Sequence, residues 1–321
     1  MGKNPHFISQ LAHVEIYSPK PDETVDFFKN VVGLEESGRS GQSVYLRAWG
    51  EFFHHSLKIT EGKKAGLGHI GWRADSPEAL EEAVRFIEGT GLGIGWIEGD
   101  LGHGKAYRFT SPDGHVEEIF WDVELYEAPE HLRSKWRNRP QKNRGQGISP
   151  RRIDHVTLES TSVSRCRQFY ESLGFYYREG IYMDEPADAE VGAFLSVTNL
   201  SHDVAVFRAP NDEPGRLNHI CYAVESREEV LIAADYVVEC GYQLEMGAPF
   251  RHAAAEGFFF YVIEPGGNRF ELYSNSRLIF APDFGPIKWK LSENPNDAWG
   301  NIFPWEADGR AKYFSKEFSS K

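Results

Sequence analysis

The chain repeats its own pattern, and this repetition limits the folds that are open to it. Residues 11–16 (LAHVEI) resemble residues 153–158 (IDHVTL), since both are short alternating strands with a histidine at the same place. Each strand is followed by a polar turn and an amphipathic helix that ends at a glycine, over residues 24–33 and 162–174. The sequence therefore predicts two halves that begin in the same way.

A second copy of the pattern lies within each half. Residues 68–72 (GHIGW) match residues 218–222 (NHICY), and each segment precedes a helix with a serine at its start. Strands broken by a turn follow, and the last strand of each half holds an acidic residue. The sequence therefore predicts an α+β fold with four βαβββ modules. We expect these modules to pair into two domains, each a curved mixed sheet with helices outside.

A stretch rich in proline, glycine and basic residues separates the two halves. We predict an N-terminal structural domain over residues 1–126, a linker over 127–149, a second domain over 150–280 and a C-terminal tail over 281–321. The basic side chains of the linker are interpreted as a solvated segment and not as a phosphate-binding patch.

The composition excludes several classes of protein. A formal net charge of −13 opposes the concentrated basic face that a nucleic-acid binder needs. No apolar run is long enough to span a bilayer, and the N-terminus lacks the apolar core of a signal peptide. An odd, sparse set of three cysteines argues for reduced thiols and a cytoplasmic location.

Three side chains of the second half, His155, His219 and Glu271, lie on different predicted strands. If the polar faces of these strands line one concave sheet, two imidazoles and one carboxylate converge. That ligand set leaves coordination positions open and is typical of non-haem iron(II) sites. A single strand histidine or glutamate is more often a surface or structural residue. Recurrence of the same order in the first half favours a metal site.

The chain resembles the type I extradiol catechol dioxygenases of the vicinal oxygen chelate superfamily over nearly its full length. The resemblance rests on residues 153–156 (IDHV), 201–205 (SHDVA), 217–220 (LNHI), 250–252 (FRH) and 260–273 (FYVIEPGGNRFELY). The last segment is the most specific, because it joins a tyrosine, a turn and a candidate ligand at fixed spacing. The resemblance implies the vicinal oxygen chelate fold and an Fe(2+) centre, with Mn(2+) as the alternative. It also implies insertion of both atoms of O2 into a catechol, which opens the ring beside the diol to a semialdehyde in aromatic degradation.

The resemblance also implies roles for individual positions. The metal would be held by His155, His219 and Glu271. His202 would transfer protons and stabilise bound oxygen, His252 would lie beside the substrate, and Tyr261 would hydrogen-bond a catechol oxygen. Each of these three outer residues also has a structural interpretation: a strand cap, a loop residue and a core aromatic.

The first half repeats the candidate ligands as His13, His69 and Glu118, with His54 and His103 roughly where His202 and His252 lie in the second half. However, Arg108 occupies the position that corresponds to Tyr261. A cation there opposes a nearby metal ion and cannot replace the tyrosine. We therefore interpret the second half as the catalytic domain and the first as a mainly structural duplicate, with a second metal site as the alternative.

The predicted substrate is a neutral catechol: catechol itself or an alkyl-, chloro- or hydroxy-substituted ring. Pro295 and Asn296 stand about where relatives that act on carboxylated catechols have arginines, and Met246 and Gly247 lie near another such position. The alternatives are a homoprotocatechuate-type 2,3-dioxygenase and a non-catalytic binding protein of the same fold. The expected partners are the catechol and O2, without nucleic acid or membrane, in a homo-oligomer (tetramer or dimer).

Overall fold

The computed structural model describes residues 5–281 and 283–299. The end of the predicted tail, residues 300–321, lies outside the described residues, as do residues 1–4. Across the described ranges, no helix has both the length and the apolarity needed to cross a bilayer.

Each half contains two strand–helix–three-strand modules. The first half consists of β1 (Ile8–Ser18), α1 (Pro21–Asp26) with a π-helical continuation (Phe27–Val32), β2 (Glu35–Ser40), β3 (Ser43–Arg47), β4 (Leu57–Glu61), β5 (Gly66–Ala74), α2 (Pro77–Thr90), β6 (Gly93–Ile97), β7 (Ala106–Thr110) and β8 (Val116–Phe120). The second half consists of β9 (Arg152–Ser160), α3 (Val163–Ser172), β10 (Tyr176–Tyr182), β11 (Glu190–Ser196), β12 (Val204–Arg208), β13 (Arg216–Ala223), α4 (Arg227–Glu239), β14 (Leu244–Arg251), β15 (Phe258–Ile263) and β16 (Arg269–Ser274). The predicted α+β fold with four βαβββ modules is confirmed.

The helix boundaries follow local sequence signals. The hydroxyl of Ser76 accepts a hydrogen bond from the backbone N–H of Ala79, which satisfies an open donor at the start of α2. Ser226 caps α4 in the same way. Helix α2 stops at Gly91, whose φ of 75° is left-handed and costs glycine little. The serine starts predicted from the sequence are therefore confirmed.

The strands form two mixed sheets, one for each half. Their orders are β2-β3-β4-β1-β5-β8-β7-β6 and β14-β15-β16-β13-β9-β12-β11-β10-β17. In each sheet the first strands of the two modules pair antiparallel at the centre, β1 with β5 and β9 with β13. The extra strand β17 (Ile287–Lys290) comes from the predicted tail and pairs parallel with β10. The domain bounds at 126, 149 and 280 stay a prediction.

One apolar core joins the two halves on the sheet faces that carry the helices. In β1, Val14 and Ile16 belong to this core, while His13 lies on the opposite face by strand alternation. The ring of Phe27 lies 4.9 Å from the ring of Tyr242 and 6.1 Å from that of Phe270, both in the second half. The histidine-bearing faces of both sheets therefore point away from the shared core.

Phe27→Ala is expected to lower the free energy of unfolding by about 3–5 kcal/mol, because it leaves a cavity at the contact between the halves. Phe27 is fully buried, whereas Phe280 is 75% exposed and serves as the control position. Urea denaturation of the two variants measures the difference. A Phe27→Ala protein as stable as Phe280→Ala would contradict the shared core.

Candidate metal centre

Three neighbouring strands bring His155, His219 and Glu271 together. His155 lies on β9, His219 on β13 and Glu271 on β16, and β13 is paired with both of the other strands. The register places Cys221 opposite both His155 and Glu271. Because residues two apart in a strand share a face, His219 projects on the same side as Cys221. The three side chains therefore share one face of the sheet.

The candidate ligand atoms of this triad are in direct contact. Glu271 Oε2 lies 3.0 Å from His155 Nε2 and 3.0 Å from His219 Nε2. The two Nε2 atoms lie 3.3 Å apart. Two ligand atoms bound side by side on an ion at about 2.1 Å lie about 3.0 Å apart in an octahedral arrangement. The observed spacing therefore matches adjacent positions around one ion.

The outer nitrogens of both imidazoles are fixed by hydrogen bonds. His155 Nδ1 lies 2.8 Å from Asp154 Oδ1, and His219 Nδ1 lies 2.7 Å from Asn218 Oδ1. Both oxygens can only accept, so each Nδ1–H donates, and in its neutral form each imidazole turns the lone pair of Nε2 inward. Sequence reasoning missed Asp154 and Asn218 as orienting residues. Each of them directly precedes its histidine in the sequence, and this position could have indicated the role.

The donor set fits a divalent metal ion. Glu271 Oε1 is buried and makes no hydrogen bond within the described part of the chain. Burial opposes ionisation of Glu271, but the neighbouring His219 and His155 hold the pKa of that carboxyl well below its usual range. An ionised carboxylate facing two imidazole lone pairs is satisfied by a cation between them. Burial lowers the pKa of His155, but Asp154 and Glu271 outweigh it and raise the pKa to about 9, so a bound metal ion would replace a proton on this imidazole.

A cavity of about 210 Å³ opens beside the triad. Its walls include the three outer residues predicted from the sequence, His202, His252 and Tyr261, and the side chains of Phe194, Met246, Phe250, Phe259 and Asn296. The wall combines aromatic rings with polar side chains, which include Thr157, Asn218, Arg269 and Asn296. The structure thus brings all six predicted site residues to one cavity.

His202 lies directly against a candidate metal ligand. Its ring centroid is 4.0 Å from that of His155, and its Nδ1 lies 2.9 Å from the hydroxyl of Ser201. Burial, with the nearby His155 as a smaller cause, lowers the pKa of His202 well below its usual value. A neutral imidazole at this place is able to accept a proton.

The segment after β17 holds His252 in place. His252 Nδ1 donates to the backbone carbonyl of Asn296 at 2.8 Å, and its ring stacks on Phe259 with 3.8 Å between centroids. The backbone N–H groups of Ala253 and Ala254 both donate to the carbonyl of Pro295. Asn296 of the predicted tail therefore lines the cavity, which agrees with the substrate-side position that the resemblance implied for it.

Tyr261 lies on β15, beside the strand that carries the candidate ligand Glu271. It is in register with Glu271 on β16, and its ring lies 5.2 Å from that of His219. Burial, followed by the charge of Glu271, raises the pKa of Tyr261 well above its usual value, which keeps the phenol protonated. The side chain is thus a hydrogen-bond donor beside the triad.

The first half brings its matching residues together as well. His13, His69 and Glu118 form a second buried cluster, with 2.9 Å between the two Nε2 atoms. Arg108 is in register with Glu118 and contacts its Oε2 at 3.2 Å, in the place that Tyr261 has in the second half. The space beside this cluster measures about 10 Å³. The two halves therefore differ in free volume more than in candidate ligands.

A larger groove lies away from both clusters. It has a volume of about 990 Å³, and its walls include Tyr17 and Lys64 of the first half and Arg216 of the second. Among the described residues that line it, none is a candidate metal ligand. The volume of a cavity therefore does not by itself identify the candidate catalytic site.

Residues 10–119 and 152–272 match the family model of the Glyoxalase/Bleomycin resistance protein/Dioxygenase superfamily. The chain belongs to this superfamily. A metapyrocatechase of Geobacillus stearothermophilus is 44% identical over 302 residues, which cover 92% of this chain and 91% of the relative. A manganese-dependent 2,3-dihydroxybiphenyl 1,2-dioxygenase of Geobacillus genomosp. 3 is 40% identical over 290 residues, which cover 89% and 91% of the two chains.

Solved structures of the superfamily share this fold. The 2,3-dioxygenase LapB of Pseudomonas sp. KL28 superposes with a TM-score of 0.82 at 29% identity, over 90% of this chain and 99% of LapB. The resemblance to extradiol dioxygenases that the sequence indicated is therefore confirmed.

Proposed function

We propose that His155, His219 and Glu271 hold the catalytic metal of this extradiol ring-cleaving dioxygenase, and that the second half alone carries the reaction. One observation supports the choice of half: the free space is about 210 Å³ beside this triad and about 10 Å³ beside the first. A cavity of about 150 Å³ is sufficient for benzene. An aromatic diol therefore fits beside the second cluster and not beside the first.

The residues around the triad have complementary tasks in this proposal. When bound, the metal ion supplies a Lewis acid that lowers the pKa of a substrate hydroxyl and gives catechol and O2 a common site. The protonated phenol of Tyr261 donates a hydrogen bond to a catechol oxygen and favours its ionised form. The neutral imidazole of His202 accepts a proton and returns it, and His252 lines the side of the ring.

The metal is proposed to be Fe(2+), and Mn(2+) is the alternative. Two imidazoles and one carboxylate bind either ion, so the donor set does not select between them. The iron assignment follows the ligand type expected for non-haem oxygen activation. The manganese alternative is supported by the relative from Geobacillus genomosp. 3, which is manganese-dependent.

The proposed substrate is a neutral catechol. Arg269 is the one arginine or lysine that lines the cavity within the described residues. Its guanidinium already contacts both carboxylate oxygens of Glu245, at 2.6 and 2.7 Å. A carboxylate on the substrate therefore meets aromatic and amide groups and no available cation. Burying an unpaired charge there is costly.

Anaerobic reconstitution followed by an oxygen-uptake assay tests this proposal. The metal-depleted protein is loaded with Fe(2+) or Mn(2+) and offered catechol, 3-methylcatechol, 4-chlorocatechol, 2,3-dihydroxybiphenyl and homoprotocatechuate. We expect uptake with the neutral diols at kcat/KM values at least about tenfold above that for homoprotocatechuate. A preference for homoprotocatechuate contradicts the substrate assignment. Tight catechol binding without oxygen uptake favours a non-catalytic binding protein.

Met246→Arg is expected to shift selectivity toward carboxylated catechols. Met246 lines the cavity and is 48% exposed, so a guanidinium at this position can reach both water and substrate. A partly solvated charge-assisted hydrogen bond is worth about 1.5 kcal/mol, or roughly tenfold in the ratio of kcat/KM values. Met246→Leu serves as the size control and is expected to leave the ratio unchanged. If the Met246→Arg and Met246→Leu variants have the same ratio of kcat/KM values, the result contradicts the claim that the substrate ring reaches this wall of the cavity.

Tyr261→Phe is expected to reduce kcat/KM for catechol by about tenfold or more, since it removes one hydrogen bond to a partly charged oxygen. Metal content is expected to stay the same, because the hydroxyl is not a proposed ligand. Steady-state oxygen uptake and elemental analysis of the same preparation measure both quantities. An unchanged kcat/KM contradicts the proposed contact with substrate.

A cytoplasmic location and a homo-oligomeric state remain part of the proposal. The location rests on the sparse, odd set of three cysteines. The oligomer, a tetramer or a dimer, rests on the resemblance to extradiol dioxygenases.

A further inference from the structure

The guanidinium of Arg269 lines the catalytic cavity, but its hydrogen bonds go to the protein. Two of its nitrogens lie 2.7 and 2.6 Å from the two carboxylate oxygens of Glu245 on β14. A third nitrogen donates to Asn218 Oδ1 on β13 at 3.0 Å. A guanidinium presents five N–H donors in a fixed planar fork, so it can serve both partners at once. A cation in the wall of a cavity for a neutral substrate therefore has a task within the protein.

A β-bulge brings Asn218 to the side of the proposed ligand His219. The pairing of β13 with β9 shifts its register between Leu217 and His219, so Asn218 is the extra residue of the bulge. Neighbouring side chains of a regular strand point to opposite faces, whereas a bulge re-aims a side chain. Here Asn218 Oδ1 lies 2.7 Å from His219 Nδ1. The bulge thus supplies the acceptor that orients this imidazole.

The hydrogen bonds around Asn218 admit one orientation of its amide. Asn218 Nδ2 donates to Glu159 Oε1 at 3.0 Å, and a carboxylate only accepts. The oxygen Oδ1 therefore turns to two N–H donors, His219 Nδ1 and the guanidinium of Arg269. Rotation of the amide by 180° would place its oxygen against a carboxylate and its NH2 group against a cation. Glu159 and Arg269 together hold the amide that holds His219.

The first half has the same arrangement of strands without this network. In the alignment of the two halves, Gly68 stands where the second half has Asn218, and Val116 stands where it has Arg269. The strands that carry them still pair in the same way, β5 antiparallel with β1 and parallel with β8. The fold of a half therefore requires neither the asparagine nor the arginine. Both occur in the half whose cluster opens to a cavity.

We propose that Arg269 is a positioning residue of the metal centre, which acts through Asn218 on His219. The proposal rests on the proposed function, in which His219 is a metal ligand. Outer partners of a ligating histidine fix its ring and are worth about 10–100-fold in metal affinity or activity. Arginine suits the task because a lysine ammonium is a point charge and cannot reproduce the planar fork that bridges Glu245 and Asn218.

Titration of metal-depleted protein with Mn(2+) tests this role without substrate. Arg269→Leu is expected to weaken Mn(2+) binding by about tenfold or more. Arg208→Leu is the matched control, because it removes an exposed arginine that pairs with Asp212, and its affinity is expected to equal that of the wild type. Urea denaturation verifies that each variant folds. Should Arg269→Leu fail to fold, Arg269→Lys takes its place with the same expected loss. Wild-type Mn(2+) affinity in the folded variant overturns the proposal.

A double-mutant cycle tests whether Arg269 acts through Asn218. Asn218→Ala is expected to weaken Mn(2+) binding about as much as Arg269→Leu does. The double variant should lie within about threefold of either single variant, because both substitutions remove the same support. Two losses that multiply contradict action through Asn218. The EPR spectrum of bound Mn(2+) is a second readout: both single variants should share one altered spectrum, and an unaltered spectrum in Arg269→Leu contradicts the proposal.

His219→Ala separates this proposal from the proposed function. Wild-type Mn(2+) affinity in His219→Ala would exclude His219 as a ligand, and both proposals would fail. Loss of binding in His219→Ala together with wild-type affinity in Arg269→Leu would overturn the role of Arg269 alone. We expect both variants to bind Mn(2+) more weakly than the wild type, with the larger loss in His219→Ala.

Discussion

His155→Ala is expected to abolish ring cleavage and to remove the catalytic metal from the second half. The substitution deletes one of three proposed ligands and leaves Glu271 and His219 without the atom that completes the set. Even an outer-shell partner of a metal ligand is worth about 10–100-fold in affinity or activity, so loss of a ligand itself should cost more than about 10³-fold in kcat/KM. Oxygen uptake with catechol, on protein loaded with Fe(2+) or Mn(2+), measures the effect.

The control for this variant is His131→Ala. His131 lies on the exposed linker between the halves, so its loss removes an imidazole without touching either cluster. Circular dichroism of both variants verifies that the fold is kept. A His155→Ala protein with more than about a tenth of the wild-type kcat/KM contradicts the assignment of the metal to the second half.

His202→Gln is expected to lower kcat by about 10²-fold or more while the metal content stays at the wild-type level. General acid–base catalysis by a positioned side chain contributes about 10²–10⁴-fold. Glutamine retains a hydrogen-bonding group that can reach the hydroxyl of Ser201, but it cannot take up a proton at neutral pH. The variant therefore separates proton transfer from packing.

Two measurements on the His202→Gln protein decide its interpretation. Elemental analysis shows whether the metal is still bound, and the KM for catechol shows whether the cavity is intact. A fall in kcat with unchanged metal content and KM supports proton transfer by His202. A kcat within about threefold of wild type, at full metal occupancy, contradicts that role.

Much of the fold could be predicted because the sequence repeats itself. The histidines of β1, β5, β9 and β13 mark equivalent strands, and the serine caps Ser76 and Ser226 mark equivalent helices. Strand alternation then placed the polar residues on one face and the apolar residues on the other. Such local rules act over a few residues, so they can be recognised in the sequence.

Other features depend on packing between distant segments and could not be predicted. The sequence does not show that residues 295–298 fold back onto the loop of His252, or that the halves share a core through Phe27. The small free space of about 10 Å³ beside the first cluster could not be predicted either. The sequence predicted Arg108 as a cation beside the first cluster but not its contact of 3.2 Å with Glu118 Oε2.

The identity of the product formed from catechol tests the central claim most directly. The metal-loaded protein is mixed with catechol and O2, and the product is identified by its absorbance and its proton NMR spectrum. Cleavage beside the diol predicts a yellow ring-opened semialdehyde, formed with one O2 consumed per catechol. Formation of cis,cis-muconate, which results from cleavage between the two hydroxyls, would contradict the account, as would the absence of oxygen uptake.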